Sequence, residues 1–215
     1  EQQYKYSNLF LASLIQKASV HTNTSGVFKG FYKNNEGVGQ FGGASRNALT
    51  RIMAEIHIEP LILSEFECKT SVSQLDAIDF AKNCEATDIA YLDPPYNQHP
   101  YGANYFMLNT ILNYEQPEEI SPVSGIPKGW NRSPYNKRQL AKDALFETMR
   151  SINAKVILLS YNSEGFIPIG ELIEEASTLG SVMSFDEKYN TFRGCRNLKD
   201  RSTHVTEHLI MIQRD

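Results

Sequence analysis

The stretch DIAYLDPPY, residues 88–96, decides how this chain of 215 residues folds. Its apolar part, residues 89–92, is short and unbroken, as in the buried strands of parallel sheets. The four residues that follow, Asp93 to Tyr96, would occur by chance in about one chain in a thousand of this length. An acidic residue and two prolines after a buried strand predict a rigid, polar corner at the carboxyl end of that strand. The plainer interpretation is a stiff turn without chemistry.

On both sides of this stretch, segments with helical spacing of apolar residues alternate with short strand-like runs. We predict helices over about residues 7–20, 45–56, 76–84, 105–114, 138–152 and 170–179, and strands over about 60–63, 71–75, 89–92 and 156–159. Such alternation predicts an α/β fold with a mainly parallel sheet that helices cover on both faces. The last two strand-like runs, residues 182–192 and 204–212, predict an antiparallel hairpin on the sheet edge.

The amino-acid composition limits the classes of protein to which this chain can belong. The chain is 41% hydrophobic and 21% charged, which is ordinary for a globular protein and excludes a disordered chain. It has no run of about 18 apolar residues, so no membrane span is expected. Cys68, Cys84 and Cys195 have no paired spacing, and the five His are isolated. We therefore expect no metal site and a reduced, cytoplasmic compartment.

Charge is unevenly distributed along the chain. The formal net charge is −4, yet five basic residues and no acidic one lie between Ile126 and Lys142. Five more lie between Lys188 and Arg201, beside a single aspartate. Such clusters are typical of a surface that faces phosphate, although two solvated loops would show the same excess. No linker or repeat divides the chain, so we expect one domain over residues 1–215.

The corner has the groups that methylation of a nucleobase amine requires. That amine is a poor nucleophile because its lone pair is conjugated into the ring, and two acceptors on its protons favour the tetrahedral nitrogen of the transition state. Asp93 offers a carboxylate and Pro94 a carbonyl. Pro95 has no backbone donor and keeps the preceding residue extended, which leaves that carbonyl uncommitted. Tyr96 offers a flat face to a base that has left its helix.

Three segments together resemble one family. They are DIAYLDPPYNQHPYGANY (88–105), ILLSYNSEGF (157–166) and YNTFRGCRN (189–197). They are similar to the DPPY-type amino-methyltransferases, and among these to the D12 class DNA adenine-N6 methyltransferases of restriction-modification systems. The resemblance implies a Rossmann-like fold that uses S-adenosylmethionine as methyl donor. It also implies methyl transfer to N6 of adenine in duplex DNA, after the base is flipped out.

The resemblance also implies roles for particular residues. Asp93, Pro94, Pro95 and Tyr96 would be catalytic and hold the adenine, and the base pocket would consist of Tyr96, Tyr161 and Asn162. The methyl donor would contact Asp76 and Asp93. Asp76 has a second interpretation as the N-cap of the helix that follows it, and Tyr161 and Asn162 could form a turn without a binding role.

The resemblance further implies that the partner is double-stranded DNA. The proposed DNA contacts are Lys128, Trp130, Arg132, Lys137, Arg138, Arg193 and Arg196, most of them to phosphate. Trp130 could equally anchor a long loop. A basic, Pro-rich insertion at about residues 115–137 would face the DNA. We expect a monomer, together with a cognate restriction endonuclease that acts on the same site.

One part of the family pattern is missing. The donor site of such enzymes includes an early strand that ends in a Phe-x-Gly-x-Gly turn, whereas GVGQFGG (37–43) follows no apolar strand and is interpreted as a loop. With Glu1 in place of Met, this predicts the later two-thirds of a larger enzyme, incomplete at the N-terminus, that binds S-adenosylmethionine weakly or not at all. Two alternatives stay open: a cytosine-N4 methyltransferase, disfavoured by Asp rather than Ser at position 93, and a DNA-binding or specificity fragment without catalysis.

Overall fold

The computed structural model describes residues 7–22, 27–29, 32–42, 46, 48–190 and 204–214. The helices are α1 (Ser7–Ala18), α2 (Leu49–Ile52), α3 (Ala77–Asn83), α4 (Tyr101–Asn104), α5 (Phe106–Asn113), α6 (Ala141–Ser151) and α7 (Ile169–Ala176). The strands are β1 (Tyr32–Lys33), β2 (Gly39–Gln40), β3 (Thr87–Leu92), β4 (Ala154–Asn162), β5 (Ser181–Asn190) and β6 (His204–Gln213). The described residues divide into two compact units. The first lies within Glu1–Thr70 and Tyr101–Asn131, and the second within Ser71–Pro100, Arg132–Phe192 and Asn197–Asp215.

The second unit is built on a four-stranded sheet of order β3-β4-β6-β5. β3 and β4 pair in parallel, whereas β6 pairs antiparallel with both β4 and β5. The predicted antiparallel pairing of the last two strands is confirmed. Of these two strands, β5 lies at an edge of the sheet as predicted, whereas β6 lies inside it. The expectation of a mainly parallel sheet was wrong. The sheet is mixed because β6 returns beside β4 and runs against it.

The core of the second unit lies on one face of this sheet. Paired residues of neighbouring strands share a face, and β4 and β6 turn Ile157, Leu159, Ile210 and Ile212 toward the same side, where each is fully buried. Helices α6 and α7 contribute four further large side chains to this cluster, namely Leu145, Phe146, Met149 and Leu172.

The opposite face of the sheet carries exposed apolar side chains. Ile89 and Tyr91 on β3 are 59% and 60% exposed, and Phe185 on β5 is 55% exposed. The described residues therefore bury one face of the sheet, where the sequence predicts that both are covered.

The first unit has little regular structure. β1 and β2 pair antiparallel around a turn in which Gly37 has a φ of +80°, a conformation that favours glycine. Within the range 45–56, where a helix is predicted, the described residues contain only the four-residue helix α2. The helix predicted over 105–114 is confirmed as α5, and α4 precedes it.

The stretch 53–76 contains no helix or strand, so the strands predicted over 60–63 and 71–75 do not form. In the described part of the chain no segment pairs with these runs. A strand without a partner leaves its backbone groups unbonded to protein.

Two features are absent from the ranges that the structure describes. None of their helices combines the length and apolarity that crossing a membrane requires. No three His, Cys, Asp or Glu side chains in these ranges come together as metal ligands would.

The one-sided core makes a testable prediction. Ile157→Ala removes a fully buried side chain, so we expect the free energy of unfolding to fall by about 2–5 kcal/mol. Ile89→Ala on the neighbouring strand is the matched control, and because Ile89 is largely exposed its loss is about 1 kcal/mol or less. Urea unfolding of both variants measures the difference, and equal losses would contradict a core on one face only.

Candidate active site

The corner Asp93–Tyr96 begins where β3 ends, at Leu92. Because β3 and β4 are parallel, the corner lies at the same edge of the sheet as the carboxyl end of β4 at Asn162. Asp93 is exposed, whereas both prolines and Tyr96 are half-buried. Among the described residues no group donates a hydrogen bond to the Asp93 carboxylate or to the Pro94 carbonyl. The roles of these two acceptors in holding a base stay predictions.

Two hydrogen bonds hold the chain that leaves the corner. The Phe166 backbone N–H donates to the Tyr96 carbonyl at 2.9 Å. The Asn136 side-chain amide donates to the Asn97 carbonyl at 2.7 Å. The corner is therefore attached to two separate loops, one after β4 and one before α6. Sequence reasoning missed Asn136, because a loop residue 39 positions away gives no periodic signal.

Tyr161 supports Tyr96 from the protein interior. Their ring centroids lie 6.3 Å apart with the planes at 68°, an edge-to-face contact. The Tyr161 side chain is buried, its hydroxyl accepts a hydrogen bond from the Ile167 backbone N–H at 3.2 Å, and burial raises the pKa of this phenol. A Cβ on Gly165 would come within 2.3 Å of the same ring, so only glycine permits this close approach. The role of Tyr161 in lining a base pocket stays a prediction.

Asn162 is also buried, and both ends of its amide are engaged. Its nitrogen donates to a Glu207 carboxylate oxygen at 2.5 Å, and its oxygen accepts from the Glu164 backbone N–H at 2.7 Å. Glu207 lies directly opposite Asn162 in the β4–β6 register. Only the strand register brings these two residues together, so the pair has no signal in the sequence. A contact of Asn162 with a base stays a prediction.

Asp76 caps helix α3. Its carboxylate accepts the Ile78 backbone N–H at 2.9 Å, so the interpretation as an N-cap is confirmed. Its contact with a methyl donor stays a prediction.

The described glycines of the stretch 37–42 serve local structure. Gly37 forms the β1–β2 turn, and a Cβ on Gly39 would meet the Val123 carbonyl at 1.5 Å. The sequence predicts a loop here, whereas Gly39 lies in β2 and Gly37 in the β1–β2 turn. The strand before these glycines, β1, has only two residues and is not the apolar strand that precedes the glycine turn of a donor site. In the described part of the chain, the residues present therefore do not complete a site for S-adenosylmethionine.

The basic residues between Ile126 and Lys142 are in part neutralised. Lys128 forms an ion pair with Glu119 at 2.7 Å, and Lys142 forms one with Glu171 at 2.6 Å. These acids lie outside the basic stretch, so the charge excess counted along the sequence overstates the cationic surface.

Three other cations of this stretch belong to the second unit, namely Arg132, Lys137 and Arg138. All three are exposed. The Arg138 guanidinium lies 4.8 Å from the centroid of the Phe166 ring, on the loop whose backbone bonds Tyr96. The structure therefore brings basic side chains to the loops that hold the corner.

Three further residues are predicted to contact DNA, namely Trp130, Arg193 and Arg196. Trp130 lies against Gly102 in the first unit, since a Cβ on that glycine would be 3.5 Å from the Trp130 Cβ. This contact fits the loop-anchoring interpretation, and stacking on a base stays a prediction. Arg193 and Arg196, with Cys195, lie outside the described residues.

Comparison with known proteins identifies the family. Residues 5–170 match the family of D12 class N6 adenine-specific DNA methyltransferases, and this range is more than half of the chain. Type II methyltransferase M.CviAII of Paramecium bursaria Chlorella virus 1 is 30% identical over 207 residues, covering 95% of this chain and 56% of the relative. Type II methyltransferase M.NlaIII of Neisseria lactamica is 30% identical over 206 residues, covering 93% of this chain and 56% of the relative.

Modification methylase LlaI of Lactococcus lactis subsp. lactis is 32% identical over 178 residues, which cover 80% of this chain and 26% of the relative. The chain spans about half the length of the first two relatives. No solved structure matches the chain. With a DPPY corner at the end of β3 and a family match across most of its length, the chain belongs to the D12 class N6 adenine-specific DNA methyltransferases.

Proposed function

We propose that this chain holds the target adenine in an enzyme that methylates N6 of that adenine in duplex DNA. One observation carries the proposal: at the end of β3, the Asp93 carboxylate and the Pro94 carbonyl receive no hydrogen bond from the described residues. Two such acceptors match the two N–H donors of an exocyclic amine. The parallel β3–β4 pair supports a Rossmann-like fold, in which ligands bind outside the carboxyl ends of the strands.

In this mechanism the chain activates the amine through hydrogen bonding. Asp93 accepts a hydrogen bond from one amine N–H and the Pro94 carbonyl accepts one from the other, which favours a tetrahedral nitrogen whose lone pair no longer conjugates with the ring. The interaction strengthens as positive charge develops on the nitrogen, so it stabilises the transition state more than the ground state. Tyr96 stacks on the flipped base and offsets part of the few kcal/mol spent on unstacking it.

S-adenosylmethionine is the methyl donor that the family implies. We retain Asp93, at the end of β3, as a contact for the methyl donor. Asp76 would contact the methyl donor only from its position as the N-cap of α3. Since the described residues do not complete a donor site, we propose that this chain alone binds the donor weakly or not at all. The mechanism above therefore rests only on the residues that hold the base.

We propose that Arg132, Lys137 and Arg138 contact DNA phosphates beside the flipped base. Lys137 is exposed, and its ammonium group has no ion-pair or hydrogen-bond partner among the described residues. Arg138 covers the Phe166 ring and keeps its charge available for phosphate. Relatives named as type II methyltransferases support a restriction-modification role, in which a cognate endonuclease would share the site.

Replacement of Asp93 tests the catalytic role. In the full-length gene product, Asp93→Ala should lower the rate of label transfer from labelled S-adenosylmethionine to DNA by about 100-fold or more, because it removes one of two transition-state acceptors. Asp88→Ala is the matched control on the same strand, since the exposed Asp88 side chain forms an ion pair with Lys155 away from the corner. Nucleoside analysis of the product should find the label on adenine N6.

Three results would contradict the proposal. Label on cytosine N4 would favour the alternative amine substrate. DNA binding without any transfer would favour a specificity fragment. Undiminished transfer by Asp93→Ala would remove this carboxylate from the mechanism.

Lys137→Ala tests the phosphate contact. Loss of one phosphate contact should reduce the slope of log affinity against log salt by about 0.9, with little effect on sequence preference. Fluorescence anisotropy with a labelled duplex over a range of salt concentrations measures this slope. Lys155→Ala is the control, because Lys155 lies near the amino end of β4 and pairs with Asp88. Equal slopes for the two variants would rule out a phosphate contact at Lys137.

A further inference from the structure

The rigidity of the corner ends at Pro95. The two proline rings fix φ at positions 94 and 95, and each proline restricts the residue before it. Tyr96 and Asn97 have no such restriction, and each retains two rotatable backbone angles. The ring that is proposed to stack on the base is therefore carried by the first residue of the corner whose φ is fixed by no proline ring.

Hydrogen bonds at two consecutive carbonyls remove this freedom. The Phe166 backbone N–H fixes the Tyr96 carbonyl, and the Asn136 amide fixes the Asn97 carbonyl at 2.7 Å. Each bond sets the orientation of one peptide plane, so together they set the backbone on the far side of Tyr96. Only the second bond comes from a side chain.

Asn136 is itself held in place by the core. It ends a short 3-10 helix, Pro134–Asn136, which the Ser133 hydroxyl caps by accepting the Tyr135 backbone N–H at 3.3 Å. Tyr135 is buried, and its hydroxyl bonds the Thr148 hydroxyl of α6 at 2.5 Å. Asn136 is half-buried, so its bond to Asn97 is partly shielded from water. The Asn136 amide therefore donates its hydrogen bond from a position that the buried core holds in place.

We propose that Asn136 is a positioning residue for methyl transfer, which holds the peptide after Asn97 and thereby sets the Tyr96 ring against the flipped base. The inference rests on the proposed function. It adds a second support for the corner besides the loop after β4. The same turn continues into Lys137, so the phosphate contact and the corner share one support.

The test compares variants of Asn136 in the full-length gene product. Asn136→Asp keeps the shape but replaces the donor by an acceptor that faces the Asn97 carbonyl. Asn136→Ala removes the donor without adding charge. Asn136→Gln keeps a donor on a longer side chain and should restore part of the activity. Asn153→Asp is the matched control, because Asn153 is exposed and its side chain bonds no described residue.

Steady-state kinetics and a base probe provide the readouts. We expect kcat of Asn136→Asp and Asn136→Ala to fall by about 10- to 100-fold, as for a small displacement of reacting groups, while KM for DNA stays near the wild-type value. Mapping the adenines that the wild type methylates identifies the target position, where 2-aminopurine then replaces adenine. The variants should still flip this base, but weaker stacking on Tyr96 should leave its fluorescence higher than in the wild-type complex.

Several outcomes would overturn the inference. A kcat of Asn136→Asp and Asn136→Ala equal to that of Asn153→Asp, with wild-type fluorescence, would do so and leave the proposed function standing. A rise in KM alone would also overturn it, since that would make Asn136 a binding residue. Absence of label from adenine with the wild-type protein would overturn the proposed function itself. If Asn136→Asp fails to fold, Asn136→Ala and Asn136→Gln decide the question by the same readouts.

Discussion

Two consecutive proline rings at the end of β3 are the constraint on which this site depends. They stiffen the backbone from Asp93 to Pro95 and keep it extended, so that a carboxylate and a carbonyl project from one strand end. Because Pro95 disfavours the helical conformation at Pro94, the backbone does not turn tightly there and bring a later N–H to that carbonyl. The corner therefore presents two acceptors that receive no hydrogen bond from the described residues.

The rest of the second unit serves to place this corner. The parallel pairing of β3 with β4 brings two polar strand ends to one edge of the sheet. The core that stabilises this pairing lies on one face, where α6 and α7 cover the buried side chains of β4 and β6. The Asn136 turn is attached to the same core through Tyr135 and α6. The residues that hold the corner are thus connected to the buried core by hydrogen bonds and by the chain itself.

Prediction from sequence succeeded where the signal is local. The corner, β3, β4 and the antiparallel pairing of β5 with β6 follow from short runs of apolar residues and from proline chemistry. The N-cap at Asp76 has an equally local cause. Prediction failed where a partner strand decides the outcome, because the runs at 60–63 and 71–75 are apolar enough for strands but have none in the described part of the chain. The position of β6 between β4 and β5 depends on long-range pairing in the same way.

By itself, the sequence determined the chemistry of the corner, since the properties of an aspartate followed by two prolines do not depend on distant contacts. Only the tertiary structure decided which residues hold that corner in place. Asn136 and Phe166 reach it from loops far along the chain, and Glu207 meets Asn162 through strand register. Tertiary structure also showed that Lys128 and Lys142 form ion pairs with acids outside the basic stretch. The physical reason is that hydrogen bonds and ion pairs depend on distance in space, and separation along the chain carries no record of it.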